Sequence, residues 1–239
     1  MVNKKKLVVL TGAGVSAESG VATFRDSGGL WEGHHIMEVA SPEGFNRNPQ
    51  LVLDFYNKRR RQLKTVGPND AHLELARLQQ FFDVDIITQN VDDLHERAGS
   101  EKVLHLHGEL LKARSVTDPY TIFDWKADIH QGDTDSNGNQ LRPHIVWFGE
   151  AVPALEEAIE ITLQADYFVV VGSSLQVYPA AGLVDFVAQS VPIYYIDPKP
   201  AQIPNLGNRL TVIAEPASKG VAKLSEMLVA EDRENRTYR

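Results

Sequence analysis

The sequence predicts an α/β protein built on a parallel sheet wound on both faces by helices. Three observations predict it. Short apolar runs rich in β-branched residues alternate with segments of helical period. The runs are continuous rather than alternating, as in strands covered on both sides. The first of them leads directly into GAGVSA (12–17), a glycine turn of the G-x-G-x-x-A type.

Taken in order, the first strand falls at 7–11, and the glycine turn after it is expected to open a helix. Segment 26–48, rich in Gly, His and Ser, has no sustained period and stands apart from the sheet. Helix 49–63 takes Asn48 as N-cap with Pro49 in its first turn, and helix 71–82 is capped by Asn69 or Asp70. Strands 84–88 and 103–106 follow. Segment 112–145, with GDTDSNGNQ between two short β-like pieces, reads as a second excursion from the main sheet. Beyond it come helix 154–163, strand 167–171, helix 180–189, strands 191–196 and 210–214, and helix 217–229. The last nine residues, 231–239, carry no pattern and are expected to fray. No internal repeat or low-complexity tract is present.

At 239 residues the chain has room for one or two domains of about 150 residues. Hydrophobic residues at 43% and charged residues at 23% suit a soluble protein with a sizeable core. Thirty-two acidic against 24 basic residues leave a net charge of −8, which repels phosphate backbones and anionic headgroups. Nucleic acid and membrane are therefore not expected partners. No apolar run approaches the ~20 residues of a spanning helix. The apolar stretch after the basic start is too short for a signal peptide, so the cytoplasm is the expected compartment. With no cysteine, disulfides, Cys-ligated zinc, iron–sulfur clusters and thiol nucleophiles are excluded.

In the glycine turn, Gly12 permits the tight bend, Gly14 lets a pyrophosphate approach the backbone, and Ala17 allows close packing. The competing reading is a turn that binds nothing. Ordinary dinucleotide folds place an acid ~20 positions on, at a strand end, to hold the ribose. Here that stretch reads EGHHIME (32–38), which does not look like a strand end; Asp197, after strand 191–196, is the candidate instead. That displacement weakens hydride transfer as the chemistry.

Strand 84–88 runs straight into Gln89, Asn90 and Asp92, at the carboxyl end where open parallel sheets bind ligands. Their amides and carboxylate suit an amide, a ribose hydroxyl or a positioned water, with helix capping by Asn90 as the plain alternative. His105 and His107 lie two apart on one strand face. His107, at the strand end before a glycine, suits a general base because imidazole titrates near neutral pH. A metal pair is the rival reading, and no third ligand follows at a recognisable spacing. His105 reads as structural.

Together, GAGVSAESGVATFRDSGGLW (12–31), TQNVDDLH (88–95), HLHGE (105–109), RPHIVWFGE (142–150) and VGSSLQVYPAAG (171–182) resemble the sirtuins, NAD-dependent protein-lysine deacylases. The resemblance spans residues 7 to about 228. It implies a Rossmann-like NAD-binding domain of 1–25, 49–111 and 146–239, with a smaller domain formed by the insertions 26–48 and 112–145. It further implies that Gly12, Ala13, Gly14, Ser16, Ala17, Thr23, Phe24, Arg25 and Trp31 hold the NAD pyrophosphate and nicotinamide ribose. Gln89, Asn90, Val91 and Asp92 would meet the ribose and nicotinamide. Gly172, Ser173 and Ser174, with Asp197, Pro198 and Lys199, would flank the adenosine ribose, and Ala217 the adenine. His107, with Asn90 and Asp92, would carry the chemistry: the acyl group passes from lysine to ADP-ribose, releasing nicotinamide and free lysine, while His107 draws a proton from a ribose hydroxyl. Val146, Trp147 and Phe148 would line an acyl-lysine tunnel, and the substrate peptide would lie between 148–150 and 175–178. The partner implied is an acylated-lysine protein, met by a monomeric enzyme.

The chain departs from the family pattern. A four-cysteine zinc module is usual and has no ligands here, so the small domain must hold by packing and by turns such as Asn137-Gly138. DTDSNG (133–138) imitates the start of a calcium loop, but its twelfth position is His144 rather than Glu, and no metal is expected. Ala22 stands where proline is common and Asp197 where asparagine is.

On helix 49–63, Val52, Tyr56, Arg59 and Leu63 form one stripe. An arginine on a packed stripe calls for an anionic partner, and guanidinium binds carboxylate through two parallel hydrogen bonds. Tyr56 and Arg59 resemble the Tyr-x-x-Arg pair of the sirtuins that remove succinyl and malonyl groups; Lys58 and Arg60 read as a solvated basic face. The expected activity is removal of succinyl or malonyl groups, and also acetyl. The alternatives are a non-catalytic NAD or ADP-ribose binding module, a protein ADP-ribosyltransferase and a Rossmann oxidoreductase.

Overall fold

In the computed structural model, residues 4–22, 30–31, 33–203 and 206–237 are described, with backbone alone for residue 30 and residues 235–237. The chain runs β1 (Lys6–Thr11), β2 (Leu30–Trp31), β3 (His34–His35), α1 (Ile36–Val39), α2 (Pro42–Arg47), α3 (Pro49–Leu63) and α4 (Asp70–Leu78). It continues through β4 (Asp83–Thr88), α5 (Leu94–Arg97), β5 (Val103–His105), β6 (Gly108–Ser115), β7 (Ile122–Asp124) and β8 (Leu141–Ile145). Last come α6 (Leu155–Leu163), β9 (Tyr167–Val171), β10 (Ile193–Ile196), β11 (Leu210–Ile213) and α7 (Ala217–Thr237).

Six strands pair in parallel in the order β11-β10-β9-β1-β4-β5. From β1 the chain first builds outward through β4 and β5, then returns to β9 on the other side. The order therefore reverses between β1 and β9, and this switch point opens a crevice at the carboxyl ends. Alternate residues of β1 feed two cores. Leu7 and Val9 pack with Leu75 and Leu78 of α4 and Leu224 and Leu228 of α7. Val8 and Leu10 pack with Ala158 of α6 and with Leu183 and Val184. Every one of these side chains is buried, so the continuous apolar runs mark a sheet covered on both faces.

A third core lies off the sheet. The antiparallel strands β7-β6-β8 form their own sheet; α3 packs on it, and α1 and α2 pack against α3. Helix α3 thus buries Val52, Leu53, Phe55 and Tyr56 against this smaller module. Arg60 corrects the sequence reading. Far from a solvated face, it is 0% exposed; Nε donates to the Leu110 carbonyl at 3.0 Å and Nη1 to Asn57 Oδ1 at 2.7 Å. Lys58 is exposed as read. The Asn57 amide also donates to the Ile129 carbonyl (2.8 Å) and accepts from the Ile129 N–H (2.9 Å). One buried amide therefore pins the loop before the 133–139 turn to α3, and no cysteine takes part.

Other differences have local causes. The glycine turn opens two single 3-10 turns, Ala13–Val15 and Ala17–Ser19, rather than a helix. Helix α2, unread in the sequence, is started by Ser41, whose hydroxyl accepts from the Gly44 N–H at 2.9 Å, with Pro42 behind it. Helix α4 stops at Leu78 because Gln79 turns away, donating to the Gly99 carbonyl and accepting from the Glu101 N–H. Residues 180–186 form 3-10 rather than α-helix. Helix α7 runs to Thr237 instead of fraying at 231, for Glu231 accepts from the Tyr167 hydroxyl at 2.7 Å and anchors the extension to the sheet. The Asn137-Gly138 turn forms as read, Gly138 taking φ +81°. Asp135 accepts from the Asn137 and Asn139 N–H groups, so its carboxylate serves its own loop. Among the described residues no three His, Asp or Glu side chains gather as a metal site, and no helix is long and apolar enough to cross a membrane.

Candidate active site

A cavity of about 480 Å³ fills the crevice between the carboxyl ends of the parallel strands and the smaller module. It collects the sequence-predicted residues from widely separated segments. From the first loop come Gly12, Ala13, Gly14, Ser16 and Ala17, with Trp31 beyond; from the loop after β4 come Gln89, Asn90, Val91 and Asp92. The β9 and β10 ends supply Gly172, Ser173, Ser174, Asp197, Pro198 and Lys199, and α7 begins at the wall with Ala217. His107, Tyr56, Arg59, Val146, Trp147 and Phe148 complete it from the other side. Thr23, Phe24 and Arg25 lie outside the described residues.

The glycines work here by close approach. Gly12 N–H donates to the Val171 carbonyl and Gly14 N–H to the Gly172 carbonyl at 2.8 Å, closing the floor of the crevice between β1 and β9. A methyl group at Gly14 would lie 2.7 Å from Gly172 Cα, and Gly172 itself takes φ +61°. The space that Gly14 leaves is thus filled by neighbouring backbone, a reason for glycine that the motif alone does not give.

The polar floor is a connected network. Ser16 Oγ donates to Asp92 Oδ2 at 3.0 Å and accepts from Asn90 Nδ2 at 3.1 Å. His72 Nε2 stands 3.4 Å from the same hydroxyl, while its Nδ1 accepts from the Asn69 N–H at 3.3 Å. Since Nδ1 is an acceptor, the His72 proton sits on Nε2 and points at Ser16. Burial lowers the His72 pKa to about 4, keeping the ring neutral, and burial pushes the Asp92 carboxyl up. Asp92 Oδ1 also accepts from the Leu94 N–H, which holds Asp92 at the start of α5. Asn90 caps no helix; its side chain is spent on Ser16. His72 and His95, whose rings sit 4.8 Å apart, were not legible as site residues, because each reads as one more polar residue on a short helix.

The two histidines of HLHGE repeat one contact. His105 Nδ1 meets the Asn90 carbonyl at 2.9 Å, and His107 Nδ1 the Gln89 carbonyl at 3.0 Å. A carbonyl only accepts, so each Nδ1 carries a proton. Their outer nitrogens then diverge. His105 Nε2 is 2.7 Å from Glu96, and although burial opposes its charge, the Glu96 carboxylate raises its pKa. His107 lines the cavity, and burial lowers its pKa. Neutral and protonated on Nδ1, the His107 ring carries an Nε2 lone pair, as a general base requires.

On the opposite wall the Trp147 indole Nε1 donates to the Tyr56 hydroxyl at 3.0 Å, and the Arg142 guanidinium stacks 3.2 Å from the Trp147 ring. Arg59, 7% exposed, sits 4.2 Å from the Trp31 ring centroid. Glu150 holds this wall in place. It accepts from Arg114, from Arg142 and from the Trp147 N–H, and although burial would raise its pKa, these donors hold the carboxyl below its ordinary value. Arg114 and Arg142 went unread, since arginines on strand-like segments carry no sequence signal of a shared partner.

Comparison with known proteins gives a consistent picture. The family model described as "Sir2 family" matches residues 12–179. The chain is 56% identical to an "NAD-dependent protein deacylase" of Helicobacter pylori over 94% of its own length and 98% of that relative. It is 52% identical to a protein of the same description from Bacteroides thetaiotaomicron, again over 94% and 98%. Among solved structures, a Sir2 homolog–NAD complex superposes with a TM-score of 0.84 at 36% identity, covering 96% of this chain and 91% of that one. A Sir2 homologue mutant bound to ADP-ribose superposes at 0.86 with 35% identity, covering 99% and 95%.

Proposed function

The chain belongs to the Sir2 family, and from that premise we propose that it is an NAD-dependent protein-lysine deacylase acting on succinyl- or malonyl-lysine and on acetyl-lysine. The observation that carries the reading is the single cavity that gathers a neutral, Nδ1-protonated His107, the Ser16–Asn90–Asp92 network and the Tyr56–Arg59 pair.

The residues present fit NAD. The Gly12–Gly14 and Gly172 backbones close a floor at the switch point, and the buried Asn90 carboxamide with the buried Ser16 and Ser173 hydroxyls stand around it. Gly12 to Ala17 with Ser173 and Ser174 would hold the dinucleotide, and Asp197, buried at the end of β10, would accept from ribose hydroxyls. Bound NAD supplies an electrophilic sugar carbon and ADP-ribose as acyl acceptor. Asn90 and Asp92, held by Ser16, orient polar groups at that end. His107 takes a proton from a ribose hydroxyl through Nε2, its Nδ1–H remaining on the Gln89 carbonyl so that the ring does not turn. Val146, Trp147 and Phe148 enclose the apolar lysine stem and exclude water. At the far end Arg59 pairs with an acyl carboxylate through charge-assisted hydrogen bonds. The division of labour follows: the parallel sheet binds NAD, and the smaller module, with α3, reads the acyl group.

The test is mass spectrometry of acetyl- and succinyl-lysine peptides incubated with the protein and NAD. Free lysine peptide, nicotinamide and O-acyl-ADP-ribose in equal amounts are expected, and His107→Ala should cut all three at least about a hundredfold. NAD binding without turnover would instead mark a binding module. ADP-ribosylated protein formed without acyl-lysine would mark a transferase.

A further inference from the structure

We infer that Trp147 sets the chemical sense of the acyl pocket by fixing Tyr56 as a hydrogen-bond donor toward the cavity, so that the pocket selects an acceptor-only terminus such as a carboxylate. The inference rests on the deacylase reading and deepens it.

An indole N–H donates and never accepts, whereas a phenol oxygen does both. At 3.0 Å from Trp147 Nε1, the Tyr56 oxygen must therefore be the acceptor, and its own proton has to go elsewhere. Tyr56 is 0% exposed and Trp147 2%, yet both line the cavity. Arg59, three residues on from Tyr56 along α3, also lines it. Guanidinium has donors only, and the Tyr56 oxygen is already taken by the indole, so this pair turns no side-chain acceptor to the pocket and Tyr56 presents its O–H there. Burial pushes the Tyr56 pKa far above its ordinary value, so the phenol keeps its proton at every working pH.

The indole is itself held. Its ring lies against Arg142, its backbone N–H donates to Glu150 at 2.8 Å, and Glu150 ties both to Arg114. The Phe45 ring covers it at 5.4 Å. With Trp147 so fixed, the Tyr56 hydroxyl has one orientation rather than two. A pocket that presents buried donors discriminates strongly against a ligand that leaves them unpaired. A neutral methyl terminus cannot accept the Tyr56 proton; a carboxylate can. Trp147 acts on the acyl terminus through Tyr56 and is in that respect a positioning residue, distinct from its part as a tunnel wall.

The experiment measures kcat/KM for succinyl- and acetyl-lysine peptides in the wild-type protein, Trp147→Phe, Tyr56→Phe and the double variant. Trp147→Phe keeps the ring and removes the N–H. The ratio of succinyl to acetyl kcat/KM should fall about tenfold, through KM. In the Tyr56→Phe background the same substitution should change the ratio no further. A ratio unchanged in Trp147→Phe, or an additive double variant, overturns the inference and leaves the deacylase reading intact. A wild-type protein that removes acetyl but not succinyl groups overturns the acidic-acyl reading and this inference with it. A second measurement avoids altering Trp147. The sequence has only three tryptophans, so the indole N–H of Trp147 is assignable by 15N NMR. Its resonance should shift upfield in Tyr56→Phe; an unmoved resonance overturns the hydrogen bond on which the inference stands.

Discussion

The imidazole of His107 donates from Nδ1 to the carbonyl of Gln89 at 3.0 Å. That bond sets the tautomer, and burial keeps the ring neutral by lowering its pKa below 6.5. A base with a depressed pKa is already competent at mildly acidic pH. The acid limb of the kcat/KM profile should therefore have its midpoint below 6.5, with a plateau above it. His107→Ala should lower kcat by roughly 10²- to 10⁴-fold. An acid limb centred above pH 7 would show that some other group carries the proton.

Arg59→Met tests the acyl end. Guanidinium and carboxylate form a charge-assisted pair, and deleting one member of such a buried pair costs enough to lower kcat/KM about 30-fold or more. That loss should fall on succinyl peptides, while acetyl peptides keep most of their rate. Steady-state kinetics on the two substrates decide it, and equal losses would remove Arg59 from the role of carboxylate reader.

Asn57→Ala tests how the smaller module stands without cysteines. The Asn57 amide exchanges two hydrogen bonds with Ile129 and accepts a third from Arg60, all buried. Its loss strands the Ile129 backbone groups and should cost about 2–3 kcal/mol in urea unfolding. Early proteolysis near residue 129 should accompany it. A chain as stable as wild type would mean that packing of Ile129 and the neighbouring Asp128 contacts with Trp125 and Arg61 hold the loop without Asn57.

Acid should destabilise the fold through its buried histidines. His72 has its pKa lowered to about 4 by burial, against 6.5 in the unfolded chain. As pH falls below 6.5 the unfolded state gains a proton that the folded state refuses. Stability present above 6.5 is thus lost progressively down to about pH 4, roughly 3 kcal/mol from this group. His95, buried beside it and also lowered, adds in the same sense. His105 runs the other way: its raised pKa contributes stability below 6.5 that is lost as pH rises through the folded value. Urea unfolding from pH 7 to 4 should show the decline, and His72→Gln should flatten it. An unchanged slope in that variant would contradict the assignment.

What was legible in the sequence was whatever local chemistry dictates. Asn48 and Pro49 start α3, and the continuous runs of β1 and β9 mark covered strands. Gly12, Gln89, His107, Gly172 and Asp197 meet in one cavity because each follows the carboxyl end of a strand in one parallel sheet, whereas Tyr56, Arg59 and Trp147 reach it from α3 and the end of β8. Illegible features depend on partners distant in sequence. Arg60 reads as one basic residue among several, and its burial depends on the Leu110 carbonyl, 50 positions on, together with the Asn57 amide. Glu231 keeps α7 helical through Tyr167, 64 residues away. The helix expected after Gly14 gives way to 3-10 turns as the chain crosses close over Gly172, a contact between loops that no local pattern encodes.

The most direct measurement is a crystal of the protein soaked with NAD and an unreactive acyl-lysine peptide. The nicotinamide ribose should place a hydroxyl within hydrogen-bond distance of the bare nitrogen of His107, with the acyl carbonyl beside the sugar. A nucleotide lying across the crevice with its sugar beyond a water's width from that ring would contradict this placement.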